Sequence, residues 1–412
     1  MTGIAAFNGA VQGRCGPSRC PHRSGPLFSR VRSSMEKSRL IIYIVVCFIA
    51  SVHLGVVIPL FAFISHDLKL SSALAGVVAA MLPLGGLTVN FFSERVVRRI
   101  GFQRTMLIGI LLQIVLLLAL IAAPYSIALW IVVRYLLGMS FSLIFMPPQV
   151  SIGIELKTRK AFFVSMLGVV FGLGLTAGPL LTNLKAVDVR LPLIAVVVLY
   201  VGILAAVMQI RNTFLPASDH HAGSVSRLRI LKRIWVAMLP AILFGFCEIC
   251  LTAIFPMEAR DRGFSEAQTS LILSLFPLSA LAGQLPAAML SDKFGPRKIA
   301  PYLYAGAAAA FVLPFLHYSF VSLLAASIMC GLMIGHGYYF SVSYVNAMTD
   351  KDTVVRANIL IEASYNLFTV VVPLAVGVYL QQAGSTTVFM PLLAFSAMAL
   401  AAHFVSQIRF RY

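Results

Sequence analysis

The sequence predicts an all-α membrane protein, with twelve transmembrane helices in two six-helix, pseudo-symmetric halves and both termini cytoplasmic. Three observations predict it. The 412 residues are 59% apolar and only 11% charged, with mean hydropathy +0.92, whereas soluble domains carry about a quarter charged residues. Apolar stretches long enough to cross a bilayer recur from end to end. A segment near the start also recurs at a constant offset of 194 residues in the second half.

A helix needs about 20 apolar residues to span the hydrocarbon layer. Such runs occupy 40–64, 71–92, 105–123, 126–149, 161–181 and 191–210, then 235–256, 268–290, 300–317, 319–346, 357–380 and 386–405. The fourth and tenth are long enough to tilt. Continuous apolar runs exclude a β-barrel, whose strands alternate over ~10 residues. The predicted organisation is an N-terminal tail at 1–39, a first bundle at 40–210, a linker at 211–234, and a second bundle with a short tail at 235–412.

The charge distribution orients these helices. The formal net charge is +18, which by itself would suit nucleic acid. Yet 26 of the 32 Lys and Arg residues lie in the N-terminal tail, alternate loops and the C-terminus, and five lie in the intervening loops. Basic loops stay cytoplasmic, so the split excludes a nucleic-acid partner as the reason for the charge and puts both termini inside. Residues 1–34 contain Arg, Ser, Gly and Pro but no acid. They read either as a transit peptide or as a stretch preceding a true start at Met35. Among six cysteines, Cys247 and Cys250 have a redox spacing inside an apolar run, where small buried side chains are the expectation. No Cys/His/carboxylate group has metal-ligand spacing. No cofactor is expected, and no clustered catalytic residues point to an enzyme.

The repeat carries more specific information. Residues 66–104 align without a gap on 260–298: Asp67 on Asp261, Ser71 on Ser265, Pro83 on Pro277, Arg99 on Lys293, Gly101 on Gly295 and Arg104 on Lys298. Each copy ends in a basic loop turning on glycine, and such duplication is typical of transporters that rock about a central site. The loop Ser291-Asp292-Lys293-Phe294-Gly295-Pro296-Arg297-Lys298 resembles the signature loop of the major facilitator superfamily. The first loop departs from the pattern, with Arg98 where the acid belongs and Glu94 where a glycine is usual. These positions, Arg98, Gly101, Arg104, Asp292, Lys293, Gly295, Arg297 and Lys298, are the candidate conformational loops.

Arg134, in SIALWIVVRYLLGMSFSLIF, stands inside an apolar run, where a charge costs roughly 2.5–3.5 kcal/mol on insertion scales. Arg134-Tyr-Leu-Leu-Gly138 resembles the Arg-x-x-x-Gly element of proton-coupled members of that superfamily. The resemblance implies that Arg134 influences a membrane carboxylate or binds an anionic substrate group; a structural arginine held by carbonyls is the alternative. Gly174-Leu-Thr-Ala-Gly178-Pro179 resembles an element of the drug/proton antiporter-like, twelve-helix branch, without the paired glycines that follow it there. Glycines four apart also bring helices into close contact without any functional meaning. Leu54-Gly55-Val56-Val57-Ile58-Pro59 is a weaker match to the same branch.

Two of the fourteen carboxylates lie well inside apolar runs, Glu248 and Glu362. Low dielectric favours a carboxyl in its neutral form, the property a proton carrier needs. Glu248 is the foremost candidate for the coupling proton or a cationic substrate group, with Arg134 biasing it; a protonated Glu bonded to a neighbouring helix is the plainer reading. His53 and His336 are titratable residues in apolar runs, each equally readable as a helix–helix hydrogen bond. His336, Tyr339 and Ser343 are spaced to share a helix face, and with Tyr365 and Asn366 they suit a polar-aromatic cavity wall. By family resemblance helices one, four, seven and ten are innermost, which groups His53, Arg134, Glu248 and His336.

Together these features predict a proton-coupled secondary transporter in the plasma (inner) membrane, monomeric, exporting a small amphipathic molecule. A symporter importing a nutrient and a receptor without flux are the alternatives.

Overall fold

The structure is a computed structural model that describes residues 26–90, 92–155, 160–214, 227–349, 351–383 and 387–409. Among the described residues, twelve helices are long and apolar enough to cross a membrane. They are numbered here as spans: span 1 (Ser38–Asp67), span 2 (Ser72–Val89), span 3 (Phe102–Ala122), span 4 (Ile127–Ile152), span 5 (Met166–Ala186), span 6 (Leu191–Met208), span 7 (Leu228–Asp261), span 8 (Glu266–Phe294), span 9 (Pro296–Leu316), span 10 (Phe320–Met348), span 11 (Ala357–Ala383) and span 12 (Phe389–Gln407). In hydrocarbon every backbone N–H and C=O must be satisfied within the chain, which is why apolar runs of this length become helices. The helix containing span 1 already begins at Pro26, inside the predicted tail; residues 1–25 of that tail, with Cys15 and Cys20, lie outside the described residues.

Residues 41–412 form one compact unit. Within it the first six and last six spans repeat one packing scheme. Span 4 lies against spans 2 and 3, and span 3 against span 6; likewise span 10 lies against spans 8 and 9, and span 9 against span 12. The seam between the two sets is made by span 2 on span 11 and span 5 on span 8. Glycine sets the closeness of these contacts. A Cβ placed on Gly76 of span 2 would lie 2.2 Å from the Pro373 carbonyl oxygen of span 11, and one on Gly138 of span 4 would lie 1.9 Å from the Leu82 carbonyl oxygen. Gly138, the closing residue of the Arg134 element, therefore seats span 4 on span 2.

Local sequence explains the helix starts and breaks. Ser265 caps span 8, accepting from the Gln268 N–H while Gln268 returns a bond to the Ser265 N–H, and Ser319 caps span 10 with Ser322 in the same way. Three spans are not continuous α-helix. Span 5 ends in a 3-10 turn at Thr182–Ala186. Span 7 contains a π-helical segment at Cys250–Ile254, a feature often found at functional sites. Span 10 breaks between Ile334 and Gly337. Gly335 and Gly337 flank the break, and a Cβ on Gly337 would lie 2.4 Å from the Pro240 carbonyl oxygen of span 7. Pro240, which has no N–H to give the helix, is followed by Ala241, whose N–H donates to Ser341 Oγ of span 10 at 2.8 Å, so backbone in one span is satisfied by its neighbour.

Candidate functional site

The two glycine elements singled out in the sequence pack on each other. A Cβ on Gly178 would lie 2.4 Å from Gly55 Cα and 2.8 Å from the Val52 carbonyl oxygen, and one on Gly174 would lie 1.9 Å from Ser51 Oγ. Pro179 adjoins the same contact, its Cδ facing Gly55. Spans 1 and 5 thus touch backbone to backbone. Gly178→Leu is expected to cost about 3 kcal/mol or more by overpacking, measured as a lower unfolding temperature or loss of monodisperse protein on size-exclusion chromatography.

Beside this contact the first six spans hold a buried polar cluster. His53 of span 1 is fully buried, and its Nδ1 bonds the Tyr200 hydroxyl of span 6 at 3.1 Å. Its Nε2 has no hydrogen-bond partner. One turn along span 1, the Val57 carbonyl accepts a long 3.5 Å bond from Arg134 Nη1 of span 4. Pro59 supplies no N–H to the Gly55 carbonyl in the same turn. The Arg134 guanidinium lies 5.1 Å over the Phe61 ring, whose centroid is also 5.1 Å from that of Trp130, one turn earlier on span 4. Arg134 is 1% exposed, and its Nε is unpartnered. Among the described residues no carboxylate lies within ion-pair distance of it.

The second cluster is formed by the last six spans. Tyr365 of span 11 donates its hydroxyl to Glu248 Oε2 of span 7 at 2.5 Å. Glu248 also holds the start of the π-helical segment, its carbonyl accepting from Thr252 Oγ1 at 2.5 Å. Around this pair, Tyr365 stacks on Phe244 with centroids 5.8 Å apart, and Phe244 on Phe276 of span 8 at 6.4 Å. Tyr338 of span 10 meets the Tyr365 ring edge-on at 5.5 Å and Tyr339 at 5.6 Å. Tyr339 reaches across the seam: a Cβ on Gly168 of span 5 would lie 2.5 Å from the Tyr339 hydroxyl.

His336 occupies the break in span 10, 4% exposed, with neither ring nitrogen partnered. Tyr339 and Ser343 are exposed, so the face expected to join them with His336 is divided: the helix restarts at Gly337, and His336 turns inward from its end. Glu362 is exposed on span 11; nearby, Asn358 Nδ2 donates to Asn346 Oδ1 at 3.0 Å. The four residues grouped by resemblance are thus divided: His53 and Arg134 lie together in the first six spans, while Glu248 and His336 stand on different spans of the last six with separate neighbours.

Each signature loop is tied to the sixth span of its own set. Gly101 and Gly295 share φ +86, a conformation that disfavours any side chain. Asn212, just after span 6, fills the space a Cβ on Gly101 would need, 2.3 Å away. It donates to the Ile100 carbonyl at 2.8 Å and accepts from the Gln103 N–H at 3.1 Å, while Phe102 N–H bonds the Thr213 carbonyl at 2.8 Å. Two orphan N–H groups at the start of span 3 are satisfied in this way. Gln103 Nε2 donates to the Val207 and Met208 carbonyls. At the position 194 residues on, Arg297 donates to the Ser406 carbonyl of span 12 at 3.3 Å, and its own carbonyl meets His403 Nε2 at 2.9 Å. Asp292, Lys293, Lys298 and Arg104 are exposed and Arg98 half-buried; Lys293 lies 5.1 Å over the Phe294 ring. The side chain of Glu94 lies outside the described residues. Asn212→Ala is expected to lower stability by about 1–2 kcal/mol, as loss of a cap does, measured as a fall in unfolding temperature of the solubilised protein.

Sequence reasoning missed the residues at the face where odd-numbered spans end. Glu258 accepts from the Tyr318 hydroxyl at 2.9 Å, the Val388 N–H at 2.7 Å and Thr387 Oγ1, and pairs with Arg262 at 3.3 Å. Burial, and then the Glu258 charge, push the Tyr318 phenol above its usual range, so it remains a donor. Lys185 pairs with Asp67 at 2.8 Å and Glu266 at 2.5 Å, and His66 with Asp261 at 3.4 Å. The alignment of Asp67 on Asp261 was the visible signal; the partner lysine stands outside the repeat.

Comparison with known proteins follows this geometry. The family model described as Major Facilitator Superfamily matches residues 40–257 and 237–409. The uncharacterized MFS-type transporter YfkF of Bacillus subtilis (strain 168) is 24% identical over 360 residues, covering 86% of this chain and 92% of that protein. The uncharacterized MFS-type transporter YcaD of Escherichia coli O7:K1 (strain IAI39 / ExPEC) is 22% identical over 245 residues, 59% of this chain and 63% of that protein. Among solved structures, the nucleoside transporter NupG superposes with TM-score 0.72 at 12% identity, covering 90% of this chain and 99% of that one. At that identity the likeness concerns the fold alone.

Proposed function

Since the chain belongs to the Major Facilitator Superfamily, we propose that it is a proton-coupled secondary active transporter exporting a small amphipathic molecule by alternating access. In this reading it is a plasma-membrane monomer with cytoplasmic termini, whose substrate and proton compete for one carboxylate. The observation that carries it is the Glu248–Tyr365 bond of 2.5 Å, set in an aromatic cluster and next to a π-helical segment of span 7.

Glu248 with its proton is a neutral group that Tyr365 and the surrounding rings accommodate. Without it, the carboxylate and the faces of Phe244, Tyr365 and Tyr338 suit the cationic end and the apolar body of a substrate. Proton binding and substrate binding then exclude each other at one site, which is the requirement for exchange. One-for-one exchange of a proton for a cation moves no net charge, so the pH difference drives it: each pH unit supplies about 1.4 kcal/mol and supports roughly a tenfold gradient. Arg134, with His53 beside it, sets the potential in the first six spans. The signature loops move with the bundles to which Gln103 and Arg297 bind them.

The test is an untargeted comparison of intracellular and medium metabolites between a deletion strain and its parent. Accumulation inside the deletion strain identifies an export cargo. Impaired uptake by that strain overturns export in favour of a nutrient symporter, and ligand binding by proteoliposomes without flux overturns transport.

A further inference from the structure

The seam between the two sets of spans is fastened at one face by charges that the repeat does not duplicate. There Lys185, at the end of span 5, lies 2.8 Å from Asp67 at the end of span 1 and 2.5 Å from Glu266 at the start of span 8. Asp67 belongs to the same six spans as Lys185, and Glu266 to the other six. His66 Nε2 faces Asp261 across the seam at 3.4 Å and Asp67 through Nδ1 at 3.7 Å. One turn before Lys185, Thr182 and Ser270 share a hydroxyl–hydroxyl bond of 2.9 Å, also across the seam. Two further cations of this face are engaged elsewhere: Arg260 donates to the Phe264 carbonyl, and Arg262 pairs with Glu258.

The offset of 194 residues exposes the asymmetry. Asp67 and Asp261 are equivalent, so each set has an acid here. Glu266 lies over Ser72 in the repeat, whereas Lys185 lies beyond the repeated segment, with Tyr379 at the same offset. The lysine and its cross-seam partner are therefore single. The Lys185 and Glu266 side chains are 11% and 17% exposed, against 35% for Asp67. The cross-seam pair is the better shielded of the two, and shielding from water strengthens an ion pair in place. A lysine pulled from Glu266 with no other acid would leave a poorly solvated cation; Asp67 removes that cost, because it travels with Lys185.

We propose that Lys185 is the latch of this face, retained by Asp67 in every conformation and exchanging only Glu266: gained when the face closes, released when it opens. Asp67 is then a holding partner that eases opening, and Glu266 is the group that determines how long the face stays shut. The idea rests on the alternating access proposed above, but its test reads the seam directly and needs neither substrate nor flux.

Thr182→Cys, introduced with Cys15→Ser and Cys20→Ser, places a thiol in the closed seam at a site that is fully buried. Its rate of reaction with a water-soluble maleimide, on purified protein in nanodiscs, reports opening. Adding Glu266→Gln is expected to raise that rate roughly fivefold, the order expected from losing one shielded pair. Lys185→Gln, made independently, is expected to give the same acceleration, so that misfolding of one variant leaves the other to decide. Asp67→Asn is expected to leave the rate at or below the parent value, since Lys185 then has Glu266 alone. A parent-like rate in Glu266→Gln or Lys185→Gln overturns the latch. An Asp67→Asn rate as high as that of Glu266→Gln overturns the division of roles.

Discussion

Glu248→Gln is expected to abolish proton-driven accumulation while leaving a folded protein that binds substrate only as weakly as the protonated parent does. Gln can still accept the Tyr365 hydroxyl bond that Glu248 accepts at 2.5 Å, and it fills nearly the same volume, but it can neither bind nor release a proton. In proteoliposomes with an imposed pH difference, the roughly tenfold accumulation that one exchanged proton supports per pH unit should collapse toward unity. Exchange of labelled for unlabelled substrate should persist at raised substrate concentration, since the neutral amide binds no more tightly than the protonated carboxyl. The sign of the pH dependence follows from the chemistry of the carboxyl. Lowering the pH protonates it and removes the charge that attracts a cationic substrate, so parent affinity falls with falling pH. The variant's affinity should not change between about pH 5.5 and 8, a window that brackets the physiological range. A variant that accumulates substrate as the parent does across that range would show that the coupling proton resides elsewhere.

Arg134→Met is expected to separate function from folding. Arg134 is 1% exposed, and its contacts are one long bond to the Val57 carbonyl and the face of Phe61. A buried guanidinium so poorly compensated is a burden on stability, since replacing buried charges by apolar groups of similar volume is often neutral or stabilising by about 1–4 kcal/mol. Met fills the same channel between spans 1 and 4 with an unbranched, adaptable chain. The unfolding temperature should therefore stay level or rise, while proton-driven transport drops by about tenfold or more, the order of effect of one strong electrostatic interaction. A substantial fall in unfolding temperature that accounts for the lost transport would make Arg134 a structural residue. The two variants also report on each other. Their side chains lie in separate clusters with no shared contact, so their effects on stability should add.

The architecture was legible in the sequence because a bilayer leaves the backbone few choices. An apolar run of about 20 residues must be helical to satisfy its own N–H and C=O groups. The twelve predicted runs accordingly coincide with the twelve spans to within a few residues at most ends. The largest difference is the start of span 7, at Leu228 instead of 235; its end, at Asp261 instead of 256, is displaced as far as both ends of span 5. Charged residues at a helix end, here Arg229, Lys232 and Arg233, hide helical turns from a hydropathy reading. Membrane-depth charge was legible for the same reason, since Arg134 and Glu248 stand out against apolar neighbours. The breaks were less so: π-helix and helix interruption depend on how Pro240 and Gly337 meet across two spans, a contact between residues about a hundred positions apart.

Partnership was what the linear order hid. Gly174 and Gly178 were visible as a small-residue face, but not that Ser51 and Gly55 form the surface they meet. Asn212 lies in the polar stretch after span 6 and carries no signal of its own until Gly101 is found beneath its amide. Lys185 reads as one of the sparse bases of a weakly charged loop; only the seam brings Asp67 and Glu266 to it.

By itself, then, the sequence determined the number of spans, the duplication and the few charges placed at membrane depth. The spans and the charges follow from transfer free energy counted residue by residue, and the duplication from residues matched at one constant offset. Only the tertiary structure decided which span faces which, that Glu248 is bonded to Tyr365 while Arg134 is left with a carbonyl and a ring, and that a single unduplicated lysine fastens the seam. Those outcomes depend on side-chain packing and short-range electrostatics between distant segments, and neither has a signature in the local composition of the chain.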